Sequence, residues 1–494
     1  MSSLLNPVRS LPSQIKALHA TMKNPVEALP EAVYHERIVE RRLMRQHIVY
    51  VCAPDLIRDA LVTRSHALDK GEGLRRAIGP GLGQGLLTAE GSHWRWQRQA
   101  LAPVFRANAT AAFLPAMTRA TLGCVLDLAR QGGVVAIEQI MMRLTGRIII
   151  ETMLSDPEAV DADAMADGLA VFLHQTRWSL LGDLLGTPEW MPHPGKARGL
   201  AAARALRREA MAQISRRRAA MAHGTPSGFS TQESTPQSDG ASPLPDDLLA
   251  RLLAARDPET GRMMSDEEII DNLLTFLTAG HETTALALAW TFDRLGRHPE
   301  IARSVQAEID AVLGAGNVKG TGGDALAMEQ VQKLTLTRAV LRESMRLTPP
   351  APMIVREVSE PFELEGVQLH RGTRLIVPIC ALHRHRSLWS APEIFDPSRF
   401  MSQPDGKEKQ IDRFAYLPFG AGQRICIGAS FAETEALVVM ALMLRHVTLT
   451  PMLRETPPGR MEITMRPARP LLMAVTARNQ GASVAQGLKP PDQP

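Results

Sequence analysis

FAYLPFGAGQRICIGASFAETEALVVMALML, Phe414 to Leu444, is made of two pieces with different physics. The first piece sets Gly420, Gly422 and Gly428 around one cysteine, Cys426. Residues without a Cβ bend tightly, accept positive φ and let something flat and bulky approach the backbone. The second piece, from Ala429 onward, is apolar and helix-forming, so Cys426 stands just ahead of a helix N-terminus. Free N–H groups and the positive dipole end found there favour a thiolate over a thiol. The stretch holds no second cysteine and no histidine, which argues against a local tetrahedral metal site. A lone cysteine at a helix start is often buried and inert. A lone thiolate on a glycine-rich loop also suits a single bond to a metal that is held mainly by other means.

The chain around this loop is ordinary in bulk. Its 494 residues are 45% hydrophobic and 22% charged, enough for a large core, and length alone suggests about three domains. A net charge of +4, from 56 basic and 52 acidic residues, points to no nucleic-acid partner. The first residues, MSSLLNPVRSLPSQIKALHA, lack an apolar h-region and carry Pro7 and Pro12, which argues against a secretory signal. The longest apolar region, Leu273 to Phe292, is interrupted by His281 and Glu282, which argues against a membrane span. Cys52, Cys124, Cys380 and Cys426 show no framework spacing, as expected in a reducing cytoplasm.

Ser265 to Arg297 is the second organising element. Ser265 and Glu268 form a capping-box pattern, and Pro299 follows the expected end. Such a helix is about 50 Å long, enough to cross a domain. Apolar residues cover most of its circumference, as in a buried helix. In its middle lies Ala279-Gly280-His281-Glu282-Thr283-Thr284. Gly280 costs roughly 1 kcal/mol of helix propensity against alanine, so packing or close approach must account for it. Thr283 can bond back to the carbonyl four residues earlier and hold a water. Glu282 adds an ionisable group to an apolar helix; the alternative is that His281 and Glu282 face solvent where the helix emerges.

Taken in order, residues 1–30 read as a loosely held arm, His47–Cys52 as a strand, and Pro54 as the start of a helix. Residues 71–91 are glycine-rich without a dinucleotide register and read as a flexible loop. Trp94 and Arg98 are four apart on the helix that follows, and share one face. Residues 112–222 give amphipathic helices, with Arg204, Arg207, Arg208, Arg216, Arg217 and Arg218 on a solvated face. Residues 223–245 are low-complexity and read as a mobile loop. Leu336–Leu347 pairs Glu343 with Arg346 at i, i+3 before Pro349 and Pro350 stop the helix. Phe362–Leu364, Val367–Leu369 and Thr373–Ile379 suggest a small antiparallel sheet. His383 and His385 have no third ligand nearby, so no metal is assigned to them. Val447–Leu453, Met461–Met465 and Leu471–Thr476 read as closing strands. The chain is thus mainly α with a minor β part: one domain over 31–478 and a disordered tail over 479–494.

Five motifs carry a resemblance: Trp94-x-x-x-Arg98, Ala279-Gly280-x-Glu282-Thr283-Thr284, Glu343-x-x-Arg346, Pro397-x-Arg399-Phe400, and Phe419-x-x-Gly422-x-Arg424-x-Cys426-x-Gly428. In this order, across residues 40 to 478, they resemble the cytochrome P450 family, whose heme is held by a cysteine thiolate. The resemblance implies a large helical region and a small β-rich region around heme b, with Cys426 as axial ligand. It implies that Ala279, Gly280 and Thr283 on one side, and Phe419, Gly420 and Gly428 on the other, border the heme. Trp94, Arg98, Arg356 and Arg424 would meet its propionates, and Glu343, Arg346 and Arg399 would form a buried structural triad. Thr283 and Glu282 would manage proton delivery.

The implied reaction inserts one atom of dioxygen into a hydrophobic substrate, by hydroxylation or epoxidation. A separate ferredoxin or flavodoxin with an NAD(P)H-dependent reductase would supply electrons to a soluble, prokaryotic-style monomer without a membrane anchor. Lys407, Lys409 and Arg413 offer a basic patch for that partner, although Asp405, Glu408 and Asp412 interleave with them. Pocket walls are expected from 72–90, 170–192, 273–284, 351–356 and 462–466. A heme-thiolate isomerase, dehydratase or peroxygenase would keep Cys426 and lose the Glu282–Thr283 pair, which this chain retains; a non-catalytic heme sensor also stays open.

Overall fold

The computed structural model describes residues 19–43, 46–154, 190–223, 247–314, 325–402 and 411–478, with single positions between 165 and 188. The loop expected at 223–245 lies outside them except for His223, and so does the tail from Asn479. In chain order the elements that position the site begin with β1 (Ile38–Leu43), β2 (Gln46–Val51), α1 (Pro54–Arg58) and β3 (Leu68–Asp69). They continue with α2 (Glu72–Leu82), α3 (Gly91–Leu101), α4 (Leu114–Gln131), β4 (Gly133–Ala136), α5 (Ile137–Leu154), α6 (Lys196–His223) and α7 (Leu248–Ala254). Then follow α8 (Asp266–Arg297), α9 (Pro299–Leu313), α10 (Thr335–Leu347), β5 (Ile354–Val358), β6 (Phe362–Leu364), β7 (Val367–Leu369) and β8 (Arg374–Val377). Last come α11 (Ala429–His446), β9 (Val447–Pro451), β10 (Gly459–Met461), β11 (Met465–Pro467) and β12 (Leu472–Ala477).

The long helix α8 is the axis of the larger core. Its capping box forms as the sequence requires: the Ser265 hydroxyl accepts from Glu268 N–H at 3.3 Å, and Glu268 accepts from Ser265 N–H at 2.9 Å. It packs along α5 and also meets α6, α10, α11 and β9. Leu273, Leu274, Leu286 and Leu288 are buried, each contributing roughly 2 kcal/mol of apolar transfer. One helical stretch, Ala107–Gln131, is apolar and long enough by composition to cross a membrane. Half of it is buried, and α4 within it packs on α5 and α11.

The β part comprises a five-stranded sheet in the order β1-β2-β8-β5-β3, a three-stranded sheet β4-β12-β9, and two hairpins, β6-β7 and β10-β11. The expected strand at His47–Cys52 is β2, which pairs antiparallel with β1, a strand the sequence reading missed.

Several expectations need correction. Residues 71–91 are not one flexible loop, because α2 occupies Glu72–Leu82. Its glycines serve packing: a Cβ on Gly81 would stand 2.4 Å from the Phe172 ring. Gly83, at φ +57, ends the helix. The strand expected over Thr373–Ile379 does not join the β6-β7 hairpin; β8 lies between β2, to which it is parallel, and β5. Met461–Met465 is the turn of a hairpin rather than a strand, since Met461 pairs with Met465 across it. Residues 19–30 are no loose arm: buried Asn24 donates to Gly459 O at 2.9 Å and accepts from Met461 N–H at 3.1 Å. The arginine-rich face of α6 is not simply solvated either, because Arg207 pairs with Asp271, Arg217 with Asp247 and Arg218 with Asp266.

Candidate functional site

The Cys426 loop is braced from three directions. His383 Nε2 accepts the Leu417 N–H at 2.8 Å, Tyr416 donates to Arg342 O at 2.8 Å, and Cys426 N–H returns to Phe419 O at 2.9 Å. Gly422, at φ +71, approaches the helical turn Asp59–Thr63 so closely that a Cβ would lie 2.1 Å from Leu61 O. Gly420 sits at φ +76, while a Cβ on Gly428 would meet no neighbouring atom within 4 Å. Phe419 packs against the larger core.

Cys426 is exposed at the loop surface. Enclosure by the surrounding chain nevertheless pushes its thiol pKa up, opposed by the Gly428 N–H and by Arg98. The lowered pKa expected at a helix start is therefore not produced by the polypeptide alone. A metal cation would overcome this, since a coordinating thiol is deprotonated outright.

Beside the loop lies a surplus of positive charge. Arg424 donates to Ala89 O at 2.8 Å, pairs with Glu90, and stacks 4.0 Å from the Trp94 ring centroid. Lys70 gives its backbone N–H to Glu90 at 2.9 Å and its Nζ to Leu87 O at 2.6 Å. Burial, with Arg356 and Arg424 close by, pushes Lys70 down to about 7. Burial and then Arg424 push Arg356 down to about 10. Arg98 is also lowered by burial, with Cys426 acting the other way. Lys70, Arg98, Arg356 and Arg424 thus outnumber the carboxylates beside them, Glu90 and Asp69, an arrangement that calls for further anionic groups. Lys70 and Glu90 were not picked out in the sequence, where nothing local distinguishes them.

On α8, Ala279 and Thr283 share an accessible stretch of face midway along the helix, and the Thr283 hydroxyl donates to Ala279 O at 2.8 Å. Gly280 is turned toward α5, where its missing Cβ would lie 3.3 Å from Ile149 Cδ1, so its close approach is to another helix. His281 bonds Leu277 O at 2.8 Å, and burial lowers its pKa. Glu282 is buried away from solvent, where Arg466 reaches its Oε1 through Nε at 2.7 Å and Nη2 at 2.6 Å, and Thr464 donates its hydroxyl. The acid and the alcohol of this run therefore occupy different faces.

Glu343 and Arg346 are fully buried, and Arg399 approaches Glu343 at 3.4 Å. Arg346 also donates to His383 O at 2.8 Å, Pro392 O at 2.7 Å and Ile394 O at 3.1 Å, which leaves Arg346 well satisfied, while the buried Nε of Arg399 meets Glu343 by charge without a hydrogen bond. The two histidines flanking Arg384 are engaged elsewhere, His383 with Leu417 N–H and His385 with Glu36 O.

Residues from four of the expected pocket stretches line cavities, whereas 351–356 line none of the three described next. An apolar cavity of about 30 Å³ is lined by Leu82, Phe172, Leu274, Leu277 and His281. A more polar cavity of about 380 Å³ touches Gln175, Arg198, Glu282, Glu462, Ile463 and Arg466. On the cysteine side, a cleft of about 530 Å³ runs past Arg342, Arg399, Arg413, Phe419, Ile425 and Glu433. Lys407 and Lys409 lie outside the described residues.

The family model for cytochrome P450 matches residues 17–474. Cyclooctat-9-en-7-ol 5-monooxygenase of Streptomyces melanosporofaciens is 31% identical over 452 residues, covering 89% of both chains. Pentalenene oxygenase of Streptomyces avermitilis is 29% identical, over 93% of this chain and 94% of the relative. Among solved structures, the heme domain of cytochrome P450DA superposes with a TM-score of 0.73 at 25% identity, over 90% of each chain. The chain belongs to the cytochrome P450 family, as a monooxygenase whose cofactor is heme.

Proposed function

We propose that this monooxygenase hydroxylates or epoxidises an apolar, hydrocarbon-rich substrate, with Cys426 as axial thiolate of heme b and Thr283 and Glu282 as its proton-delivery pair. The observation that carries the assignment is the position of Cys426, accessible on a glycine-braced loop beside a surplus of buried positive charge. These residues fit heme: one thiolate donor matches an axial position, and Lys70, Arg98 and Arg356 match two propionates. The accessible Ala279 methyl gives a flat macrocycle room against α8.

When bound, heme supplies reductive activation of dioxygen and transfer of one oxygen atom to carbon. Cys426 would hold the iron through its thiolate and supply it with electron density. The cationic cluster would hold and orient the propionates, and the apolar face of α8 would exclude bulk water. Thr283, whose own proton is given to Ala279 O, keeps its lone pairs for a water that carries protons onward. Glu282, touching the 380 Å³ cavity, takes up those protons from solvent.

The relatives named for pentalenene and cyclooctat-9-en-7-ol, an alkene and an alkenol, support an apolar substrate. The apolar lining at Leu82, Phe172, Leu274 and Leu277 supports it as well. Electrons come from a separate ferredoxin or flavodoxin with its reductase, docking at the cleft beside Ile425 and Arg413; the enzyme acts as a cytoplasmic monomer. The test is Thr283→Ala. It should keep its heme and carbon monoxide spectrum while more reducing equivalents leave as hydrogen peroxide and less product forms per electron pair. Glu282→Gln should slow turnover more than it uncouples it. Wild-type coupling in Thr283→Ala, with a true substrate, contradicts the assignment.

A further inference from the structure

We infer that Asp271 and Arg207 are positioning residues for the heme edge: the pair fixes the loop from Gly83 to Glu90, whose carbonyls seat Lys70 and Arg424. Heme retention is thereby coupled to the placement of α6 on α8. The inference rests on reading Lys70 and Arg424 as propionate partners.

Asp271 lies on α8 with its side chain 7% exposed. A buried carboxylate is tolerated only with partners, and each of its oxygens serves a different element. Oδ1 accepts from Arg207 Nη1 of α6 at 2.5 Å, and Oδ2 accepts the Gln84 N–H at 2.7 Å. Two glycines let the loop come so near. A Cβ on Gly83 would stand 2.1 Å from Asp271 Oδ1, and one on Gly85 would stand 2.5 Å from Asp271 O. The neighbouring Asn272 extends the contact, accepting the Leu86 N–H at 3.0 Å and donating to Gln97 Oε1 at 2.8 Å. Gln97 in turn donates to Gln84 O at 2.9 Å.

The loop thus gives the N–H groups of Gln84 and Leu86 to α8 and keeps later carbonyls for the cations. Leu87 O accepts Lys70 Nζ at 2.6 Å, and Ala89 O accepts Arg424 Nη1 at 2.8 Å. Glu90, at the end of the loop, accepts the Lys70 N–H and pairs with Arg424. Between the two ends the Thr88 hydroxyl donates to Gly83 O at 2.7 Å, which closes the loop on itself. A displacement at Gln84 is therefore carried to Leu87 and Ala89. Leu206, the residue before Arg207, lines the apolar cavity together with Leu82 and Leu274, so the pair stands where the cavity wall meets the heme edge. A second ion pair between α6 and α8, Arg218 with Asp266, sits at the N-terminus of α8, and none of its hydrogen bonds among the described residues reaches the loop. It separates docking of α6 from positioning of the loop.

The experiment follows heme transfer from the heme-loaded protein to excess apomyoglobin at pH 7. Arg207→Ala should speed heme loss roughly tenfold, the scale of one charge-assisted hydrogen bond, and Arg207→Lys should recover part of the difference. Asp271→Asn should match Arg207→Ala, and the double variant should lose heme no faster than either single one. Arg218→Ala should stay at the wild-type rate. Heme loss at the wild-type rate from Arg207→Ala, or additive losses in the double variant, overturns the inference. Equal acceleration by Arg207→Ala and Arg218→Ala also overturns it, and makes the pair a helix-docking contact. Should Asp271→Asn fail to fold, Arg207→Ala against Arg218→Ala decides. If Lys70→Met retains heme as wild type does, the propionate reading of Lys70 fails; if Lys70→Met loses heme faster and Arg207→Ala does not, only the present inference fails.

Discussion

Arg346 lays two N–H groups on the two oxygens of Glu343, at 2.7 and 2.8 Å, and both side chains are fully buried. Glu343 also accepts the Asp396 N–H at 2.9 Å, so this pair ties α10 to the segment entering the cysteine loop. Breaking a buried pair by deleting one partner leaves a stranded charge, which costs about 3–5 kcal/mol. Glu343→Ala should therefore lower the stability of the heme-loaded protein by that amount in chemical denaturation. Arg346→Lys should not rescue it, because lysine lacks the planar fork that serves Glu343 and three carbonyls together. A loss under about 1 kcal/mol for Glu343→Ala would show that the surroundings can rehydrate the site.

His383 links the same region to pH. Full burial, with Arg346 nearby, pushes it down to about 3, and it accepts the Leu417 N–H as a neutral ring. The unfolded chain protonates this histidine near pH 6.5. Between these values the unfolded state binds more protons, so stability is complete above about 6.5 and declines as pH falls toward 3. One such group contributes a slope of at most about 1.4 kcal/mol per pH unit. Urea midpoints measured between pH 7 and 5 should show this decline, and His383→Leu should flatten it even if less stable overall. An unchanged slope in the variant would assign the acid sensitivity elsewhere.

Lys70 predicts how heme affinity depends on pH. It lies near 7 among its cationic neighbours, and propionates beside it would raise that value again. Binding above pH 7 therefore takes up a proton, and affinity should weaken as pH rises from 7 to 9, by up to tenfold per unit. Hemin titration of apoprotein measures this directly. Lys70→Met should bind heme more weakly at pH 7 and lose most of the pH dependence. The same slope in Lys70→Met would place the linked proton on another group.

What the sequence made legible was governed by local rules. The capping box at Ser265, the back-bond of Thr283, the Glu343–Arg346 spacing and the β6-β7 hairpin are decided within a few residues of chain, and each appears in the structure. The misses came from distance. Gly81 reads as flexibility until the Phe172 ring is seen against it. Met461–Met465 reads as a strand because nothing local marks Glu462–Thr464 as the tip that addresses Glu282. Arg466 lies 184 residues from Glu282, and Glu90 lies 334 from Arg424, so no spacing rule pairs them. At Cys426 the local Gly428 N–H lowers the thiol pKa as expected of a helix start, but enclosure by the surrounding chain, which no local rule conveys, acts the other way.

The central claim is that Cys426 supplies a thiolate to the heme iron. The measurement is the absorption spectrum of the dithionite-reduced protein under carbon monoxide, for wild type and Cys426→Ser. Wild type should show the strongly red-shifted Soret band that thiolate ligation produces, and Cys426→Ser should lose it while any retained heme absorbs at the shorter wavelength of a neutral or oxygen ligand. A red-shifted band that survives Cys426→Ser, or that is missing from freshly prepared heme-loaded wild type, would contradict the assignment.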